Sequence, residues 1–594
     1  MKRITFLLFI ALSIQLYARE ETIFSVGNLY YRVTSALERT VEVAPIQIVC
    51  GYYSGDIVVP DSVEYNGMYY KVTALGAEAF NRASFNSLVL PADIQIMKEY
   101  CFSAARLPIN FILPDSLKTI NDCAFWGAMG VANITIPAST ESIGERVFVD
   151  MPNLQTITVD TASMYYMSMD GVLYSKDTTK LLSCPIRSGV FTIPTGVRCI
   201  ATFAFEESNF ESIIIPNTVN IIERCAFSEC DNLRNLHIPA SVTNIGGGAF
   251  RLCNNLTNFT IDTSNINYTI IDNILYSIGL DTLKSVPFSN DTIRVLEDVK
   301  VVDYCALSGL KRMKYIILSK SLVKILDGAF AESNLRGIVL PPYLQEIGEY
   351  AFLSCGKLNC EIVIPNSVKT IGMGAFTAAG ITSVVMSDSV KVIPAEAFMY
   401  CTNLNSYSGG ASVERIEEYA FSDCGSFAKN IVFPPSLRVI EDAAFLFTDV
   451  ITVEFTGMVD TIGQSNFGNI LKLTLVNPTP PYSKKPVNSC NSIIIPCGAT
   501  QAYLSNSNWS SYSYIEDCDG IEDTDPQSAV QVVAQHHAIE VHNAEDYAVA
   551  IYDVMGRCHA AEPATGQSLR HYSLPTAGVY VVHINGKGYK VVVR

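Results

Sequence analysis

The sequence predicts an α/β solenoid in which each coil contributes one short strand and one short helical or 3₁₀ turn. Three observations lead to this fold class. A phenylalanine recurs every 22–24 residues over most of the chain, and an alternating apolar segment that ends in proline precedes it. The motif Ile-x-x-x-Ala-Phe closes each unit, with its apolar residues at near-helical spacing. We therefore expect stacked coils with a parallel sheet rather than one large core.

The repeated aromatic position defines about fifteen units. It is phenylalanine in fourteen of them and leucine in one, and alanine precedes it in twelve. The positions are Phe80, Phe102, Phe125, Phe148, Phe205, Phe227, Phe250, Leu307, Phe330, Phe352, Phe376, Phe398, Phe421, Phe445 and Phe467. Two of the intervals, which end at Phe205 and Leu307, are 57 residues long. Such regularity indicates that one structural unit is repeated along the chain.

Residues 233–250 show both halves of a unit. Apolar residues alternate over 233–239, and Pro239 ends the strand because proline cannot donate to a ladder. Val242, Ile245 and Ala249 then follow at near-helical spacing, so we expect a helical or 3₁₀ turn there. One strand and one turn within 22–24 residues fit the leucine-rich-repeat period.

The two long intervals contain Asp170-Gly-Val-Leu-Tyr174 and Asp272-Asn-Ile-Leu-Tyr276. Together with the Ala-Phe units over roughly residues 70–475, these segments resemble the bacterial BspA-type leucine-rich-repeat family. The characteristic DGVLY insertion of that family matches the first segment closely and the second in part. The resemblance implies a leucine-rich-repeat solenoid with a parallel concave sheet. It also implies a surface protein associated with host extracellular-matrix proteins and with other bacterial cells.

The two ends of the chain differ from the repeats. We expect a signal peptide at residues 1–18, where Lys2 and Arg3 precede an apolar run that is too short to span a membrane. A solenoid exposes an apolar cross-section at each end, so we expect a β-rich N-terminal cap at 19–72 and a C-terminal cap at 476–520 around the solenoid at 73–475. A linker at 521–530 and a small C-terminal β-sandwich at 531–594 complete the predicted organisation.

The C-terminal β-domain carries two further motifs. Residues 551–557 contain an Asp-x-x-Gly-Arg run, residues 575–580 contain Pro-x-x-Gly-Val-Tyr, and the chain ends in a basic-hydrophobic strand. This pattern resembles the C-terminal sorting domain of the type IX secretion system in Bacteroidetes. The resemblance implies export through the Sec pathway and then across the outer membrane, followed by attachment or release. An accessory β-sandwich without a sorting role is the alternative interpretation.

The 17 cysteines of an exported chain raise the question of disulfides. Eight of them recur in register with the aromatic position, which favours small buried residues of a stacked ladder. These are Cys123, Cys225, Cys230, Cys253, Cys305, Cys355, Cys401 and Cys424. Cys497 and Cys518 in the C-terminal cap form the better disulfide candidate. The sequence contains no Cys-x-x-Cys motif, so zinc and redox motifs lack support.

Histidine usage argues against an enzyme. Between residues 19 and 535 the only histidine is His237, and it lies on a repeat strand, where a structural role is the simpler interpretation. A pair of carboxylates, as glycosidases use, remains an alternative in principle, but most acidic residues fall in the turn half of the unit. We therefore predict no catalytic, metal-binding or cofactor-binding residues and no cofactor.

The strands supply the candidate binding surface. Alternation sends two residues of each strand towards the predicted concave face, where hydroxyl and amide side chains dominate. The candidate ligand-surface residues are Asn133, Thr135, Thr156, Thr158, Asn235, His237, Asn258, Thr260, Tyr315, Ser383, Ser406, Ser408, Asn430 and Thr452. The alternative is that threonine, valine and serine simply suit a parallel ladder.

The predicted function is binding at the cell surface, the outer membrane or outside the cell, by a monomer. Adhesion to host matrix proteins or other cells is the first hypothesis. Glycan capture is the alternative, although Trp126 and Trp509 lie away from the predicted strand face. Hydrolysis ranks third. A net charge of −17 argues against nucleic acid as a partner, since phosphate neutralisation requires clustered lysine and arginine.

Overall fold

A computed structural model of the chain describes residues 23–46, 52–286, 291–485 and 487–517. In the C-terminal part it describes 531–535, 538–542, 548–553, 557–563, 569–575, 578–584 and 587–593. The chain divides into two compact units, residues 1–516 and 517–594. The predicted signal peptide at 1–18 and the predicted linker at 521–530 lie outside the described residues.

The first unit is a parallel β-solenoid of about 19 turns with almost no helix. The longer strand of each coil comes from the alternating apolar segment before the proline, and it pairs in parallel with the same segment of the next coil. These strands are Ser54–Val58, Ser84–Val89, Asn133–Ile136, Thr156–Val159, Ser188–Thr192, Asn209–Ile214, Asn235–Ile238, Asn258–Ile261, Thr292–Arg294, Tyr315–Ile317, Glu361–Val363, Ser383–Met386, Ser406–Gly409, Asn430–Phe433, Thr452–Phe455, Phe467–Thr474, Val487–Pro496 and Tyr514–Asp517.

A second parallel ladder runs beside the first and consists mostly of two-residue strands. Most of them contain the isoleucine, valine, leucine or methionine that lies five residues before the repeated aromatic, and this apolar side chain points into the core. The strands are Thr40–Ala44, Met68–Leu75, Ile96–Met97, Thr119–Ile120, Ser142–Ile143, Lys180–Ser183, Cys199–Ile200, Ile221–Ile222, Asn244–Ile245, Thr282–Ser285, Val301–Val302, Lys324–Ile325, Glu346–Ile347, Thr370–Ile371, Val392–Ile393, Arg415–Ile416, Val439–Ile440 and Thr461–Ile462.

The predicted helical or 3₁₀ turn at the Ala-Phe motif is wrong. Residues two before and two after the aromatic have positive φ, as Tyr350 (52°) and Ser354 (55°) do around Phe352. Left-handed residues break a right-handed helix. Every second amide in this turn therefore bonds to the next coil, as the Phe352 amide does to the carbonyl of Ala375 at 2.7 Å, while the intervening amides bond three residues back. Only Thr500–Leu504 is helical among the described residues.

The repeated phenylalanines fill the interior at this turn. Phe330, Phe352, Phe376, Phe398 and Phe421 are buried, and their rings stack with centroids 4.9–5.4 Å apart. Stacking at this separation gives each ring two parallel neighbours in addition to its apolar burial. Alanine precedes the aromatic because the turn lies close against the strands, and Ala351, Ala375 and their counterparts are buried as well. Between the long intervals, the column of rings runs from coil to coil through the core.

All eight cysteines that recur in register are buried and unpaired, as predicted. Five of them lie three residues after the aromatic, and each thiol donates to the carbonyl of the phenylalanine one coil back. Cys355 contacts Phe330 in this way at 3.1 Å, and Cys401 contacts Phe376 at 3.1 Å. Burial raises the pKa of the Cys355 thiol to about 11, so the proton that it donates is retained at neutral pH. These five cysteines therefore form a column of their own, in which each thiol hydrogen-bonds to the neighbouring coil.

The two long intervals form β-hairpins that divide the core. Their strands are Tyr166–Met169 with Val172–Ser175 and Tyr268–Ile271 with Ile274–Ser277. Val172 and Tyr174 face the apolar cluster that follows the hairpin, whereas Leu173 faces the preceding one. The second hairpin repeats this arrangement at residues 274–276. The insertion is thus buried on both faces, which explains its apolar Val-Leu-Tyr sequence.

Both ends of the solenoid are covered. At the N-terminus, hairpin strands Ile23–Val26, Leu29–Ser35 and Ser62–Tyr65 join the short-strand ladder. The buried Glu42 carboxylate there contacts Arg32 at 3.0 Å, and it contacts Lys98, in the unit that ends at Phe102, at 2.7 Å. At the other end the buried Trp509 donates its Nε1–H to the carbonyl of Pro481 at 3.0 Å.

The C-terminal cap also contains the disulfide candidate. Cys497 is disulfide-bonded. Cys518, its predicted partner, lies outside the described residues, so this pairing stays a prediction.

The second unit has two antiparallel sheets around one small core that contains Ile539, Ile551 and Val582. The strands are Gln531–Gln535, Ala538–His542, Val549–Asp553, Cys558–Glu562, Leu569–Ser573, Gly578–Ile584 and Lys587–Val593. In the Asp-x-x-Gly-Arg run, the guanidinium of Arg557 contacts the carboxylate of Asp553 at 2.8 Å. This contact closes the turn between two paired strands.

Candidate binding surface

The outward side chains of the longer strands form one surface, which we call the strand face. In Asn235–Ile238 the inward residues Leu236 and Ile238 are buried, and Asn235 and His237 point outward. We call these the first and second outward positions. All fourteen candidate ligand-surface residues lie at such positions. Eleven are exposed, and Thr156, Ser383 and Thr452 are half-buried.

The parallel register brings the candidate residues together in neighbouring pairs. Asn133 lies opposite Thr156 and Thr135 opposite Thr158. In later coils Asn235 pairs with Asn258, His237 with Thr260, Ser383 with Ser406, and Asn430 with Thr452. Ser408 lies opposite Val385, whereas Tyr315 lies between Thr292 and Gly337. The candidates therefore form several polar clusters along the strand face.

These polar side chains hydrogen-bond to one another. Thr135 and Thr158 share a hydroxyl contact of 2.8 Å, and His237 Nδ1 lies 3.0 Å from the Thr260 hydroxyl. The Asn258 amide donates to the Asn235 Oδ1 at 3.2 Å, and the Thr452 hydroxyl donates to the Asn430 Oδ1 at 2.8 Å. Each contact joins adjacent coils, so the side chains are held in defined positions while their remaining donors and acceptors face solvent.

The candidate ligand-surface residues leave out the aliphatic residues of the strand face. The second outward position holds exposed valine or isoleucine in two runs of three consecutive coils: Val58, Val89 and Ile112, and then Ile317, Val339 and Val363. Val339 is 86% exposed and Ile112 is 79% exposed. The available signal was an aliphatic residue two positions before the proline, which the emphasis on hydroxyl groups passed over. Rows of exposed alkyl groups on a rigid sheet are typical of interaction surfaces.

A shallow polar depression lies at the loops that precede the later strands. Lys357, Asn359, Thr382, Asn403 and Asn405 line it, together with Gly356 and Ser426. The Asn403 amide donates to the carbonyl of Gly380, so this loop also connects coil to coil. The depression offers hydrogen-bonding groups without an aromatic platform.

The histidine and cysteine side chains that catalysis could use are hydrogen-bonded or buried in the solenoid, and one pair of carboxyl groups lies on the turn side. His237 is hydrogen-bonded to Thr260, and burial raises the pKa of the Cys424 thiol to about 12. Glu207 and Asp150 form a hydrogen-bonded carboxyl pair on the turn side, and burial next to Asp150 raises the pKa of Glu207 to about 8. Across the described residues, histidine, cysteine, aspartate and glutamate form no group of three that could hold a metal ion.

Neither tryptophan belongs to the strand face. Trp509 is fully buried in the C-terminal cap, and Trp126 is half-buried in a turn. In the part of the chain that the structure describes, no helix is long and apolar enough to cross a membrane.

Comparison with models of known protein families shows which family this chain belongs to. The model of the BspA-type leucine-rich-repeat region matches residues 72–171, 181–295, 277–405 and 369–491, which is more than half of the chain. This chain belongs to the BspA-type leucine-rich-repeat family. The match spans the Ala-Phe units and includes the second hairpin motif at 272–276. No curated protein is similar enough in sequence to count as a match.

Several solved structures are similar to this BspA-type chain. A leucine-rich cell surface protein from Faecalibacterium prausnitzii A2-165 is 23% identical; the alignment covers 66% of this chain and 96% of that one, with a TM-score of 0.37. A leucine-rich-repeat protein from Bacteroides ovatus ATCC 8483 is 18% identical, with coverage of 83% and 100% and a TM-score of 0.34. For the pneumococcal vaccine antigen PcpA the corresponding values are 18%, 84%, 99% and 0.31.

Proposed function

We propose that this protein binds partner proteins through its strand face and acts in adhesion to host matrix proteins or to other cells. The observation that carries the proposal is the exposed aliphatic second outward position, above all Val339. Burial of alkyl side chains contributes about 25 cal/mol per Å² of apolar area removed from water. Because the backbone hydrogen bonds of the ladder are already made between coils, a partner would contact side chains on a rigid frame.

Glycan binding is the second candidate, and the polar depression around Lys357, Asn403 and Asn405 favours it. Sugar rings commonly pack on aromatic platforms, and the two tryptophans of this protein lie elsewhere. Hydrolysis ranks below both, because His237 and the buried thiols are engaged in the ladder. We therefore propose binding without catalysis, and without a cofactor.

The proposed location rests on the motifs at the two ends of the sequence. We propose export by a signal peptide at 1–18 and surface attachment or release through the sorting-like domain at 531–594. The test is a chain that ends at Gln527. This variant should be retained inside the cell envelope, whereas surface labelling at the level of the intact chain would contradict the proposal.

The binding proposal is tested by presenting the intact protein to a panel of immobilised extracellular-matrix proteins and to a glycan array. We expect saturable binding to one or more proteins, weakened by Val339→Ser. The control is Phe447→Ser, which replaces an exposed aromatic on the turn side. Binding to glycans alone would overturn the adhesion proposal, and turnover of any glycan would overturn the proposal of binding without catalysis.

A further inference from the structure

One part of the strand face combines aliphatic and cationic side chains. We call it the coil 292–363 patch. Register places Thr292 opposite Tyr315 and Arg294 opposite Ile317, and an isolated bridge places Tyr315 opposite Gly337. Ile317, Val339 and Val363 thus continue the second outward position from coil to coil, with Arg294 at one end of their row. Tyr315, Ile317, Val339 and Val363 are all exposed.

The first outward row of the patch is open at Gly337, and we call this open position the notch. A side chain at this position would meet no atom within 4 Å, so the space above the glycine is open. The exposed ring of Tyr315 borders it on the preceding coil, and Val339 lies two residues further along the same strand segment. A surface with a notch beside an aromatic ring can take an inserted side chain, which a flat sheet cannot.

The charge of the patch is opposite to that of the protein. Its strand and pre-strand segments, 291–294, 311–317, 336–339 and 357–363, carry six cations and two carboxylates, whereas the whole chain has a net charge of −17. The cations are Arg294, Lys311, Arg312, Lys314, Arg336 and Lys357; the carboxylates are Asp291 and Glu361. Both carboxylates are engaged, Asp291 with Lys314 at 2.6 Å and Glu361 with Ser383 at 3.3 Å.

Two of the cations are available to a partner. Arg294 and Arg336 are exposed, and neither forms an ion pair with any described residue. Arg336 immediately precedes Gly337, at the edge of the notch. A guanidinium presents a planar fork of donors that matches a carboxylate in a bidentate contact.

We propose that the coil 292–363 patch recognises an acidic, aliphatic polypeptide segment of the partner protein. This inference rests on the proposed function and specifies the chemistry of the partner. Aliphatic side chains of the segment cover Ile317, Val339 and Val363, one of them entering the notch, and its carboxylates pair with Arg294 and Arg336. The acidic remainder of the chain repels such a segment, which directs it to this patch. A sulfated polysaccharide would use the cations but leave the aliphatic row exposed.

The chain offers matched controls for a test. Arg234 precedes the first outward position of its strand, as Arg336 does, and is also exposed. Val432 occupies the second outward position in another coil, as Val339 does here, and is also exposed. The pairs are therefore Arg336→Glu with Arg234→Glu and Val339→Ser with Val432→Ser. All four side chains are at the surface, so we expect unchanged thermal unfolding of each variant.

The experiment is a selection of random 16-residue peptides displayed on phage against the intact protein, followed by fluorescence anisotropy with synthetic peptides. We expect peptides rich in aspartate, glutamate and aliphatic residues. Arg336→Glu and Val339→Ser should each weaken their binding by about tenfold or more, whereas the two controls change it by less than about twofold. Heparin serves as the polyanion probe. We expect that Val339→Ser does not change heparin binding.

The outcomes separate this inference from the proposed function. Selected peptides whose binding is reduced by Val432→Ser but not by Arg336→Glu would overturn the patch and leave strand-face binding intact. Peptides unaffected by every strand-face variant, or no selected peptide, would count against both. Binding of heparin that is lost in Arg336→Glu, without any selected acidic peptide, would replace the polypeptide partner with a polyanion and overturn the inference.

Discussion

Two columns of the solenoid show how one repeat serves opposite purposes. The phenylalanines at the turn are buried and stack with centroids about 5 Å apart, so each ring has the same neighbours as the next. The second outward position of the strand face has the same coil-to-coil spacing, yet Val339 there is 86% exposed. Identical surroundings favour the same residue in every coil. Where the surroundings are solvent, the residue is free to vary, and this variation supplies the features that a partner can recognise.

The largest difference between the columns should appear in stability. Phe376→Ala removes a buried ring that stacks on Phe352 and Phe398, and we expect a loss of about 3–5 kcal/mol, measured by urea denaturation. Val339→Ala removes exposed atoms and should change the free energy of unfolding by less than about 0.5 kcal/mol. Equal losses in the two variants would contradict the assignment of one column to the core and the other to the surface.

The next effect concerns the N-terminal end, where the column of rings begins. Glu42 is fully buried and joins Arg32 to Lys98. Glu42→Gln keeps the shape but removes the charge that both cations face. Because the two cations are partly exposed, we expect a loss of about 1–3 kcal/mol, below the full cost of a buried unpaired ion. Thermal unfolding should show it, with Lys71→Gln, an exposed pair with Asp93, as the control that changes little.

A smaller effect is expected where a hairpin interrupts the short-strand ladder. The Tyr268 hydroxyl accepts from the Ile245 amide at 2.9 Å and lies 3.5 Å from the carbonyl of Thr243. The Tyr166 hydroxyl makes the equivalent contacts with Ile143 and Glu141 in the first hairpin. Tyr268→Phe and Tyr166→Phe should each cost about 1 kcal/mol in chemical denaturation. A clear loss in only one variant would show that the hairpins are not equivalent.

The smallest effect is a pH dependence on the turn side. Burial and the neighbouring Asp150 raise the pKa of Glu207 to about 8, from an ordinary value near 4.5. The folded chain therefore binds this proton more tightly than the unfolded chain does. Its contribution to stability is complete below about pH 4.5 and is lost as the pH rises through about 8. Glu207→Gln should reduce the fall in Tm between pH 5 and pH 9, whereas an unchanged fall would contradict this assignment.

The sequence predicted much of this architecture and less of the surface. The spacing of residues such as Phe352 and Phe376 indicated stacked coils and buried cysteines, because periodicity reports the positions that face inward. The turn was mispredicted because Val242, Ile245 and Ala249 have near-helical spacing, whereas Ile245 belongs to a two-residue strand and the turn that follows is left-handed at Gly248. Tyr350 and Ser354 adopt positive φ although neither is glycine, so residue type did not indicate this left-handed turn.

The strand face was harder to predict because the residue types at its outward positions do not repeat regularly from coil to coil. Alternation predicts Asn235 and Thr260 on the outward side of their strands, and both side chains are exposed. The contacts among these polar side chains, and the exposed run at Ile317, Val339 and Val363, depend on which coils become neighbours. How neighbouring coils align, for instance between Gly337 and Glu361, is set when the coils stack. Amino-acid composition does not predict this alignment.

The most direct test of the division between core and recognition surface is a binding measurement on two double variants of the intact protein. Val339→Ser/Val363→Ser alters the strand face, and Tyr400→Ser/Phe447→Ser alters exposed aromatics on the turn side. Surface plasmon resonance on the matrix protein that the intact chain binds best should show affinity reduced by about tenfold or more for the first variant and unchanged for the second. Loss of affinity in the turn-side variant, with binding by the strand-face variant intact, would contradict the account.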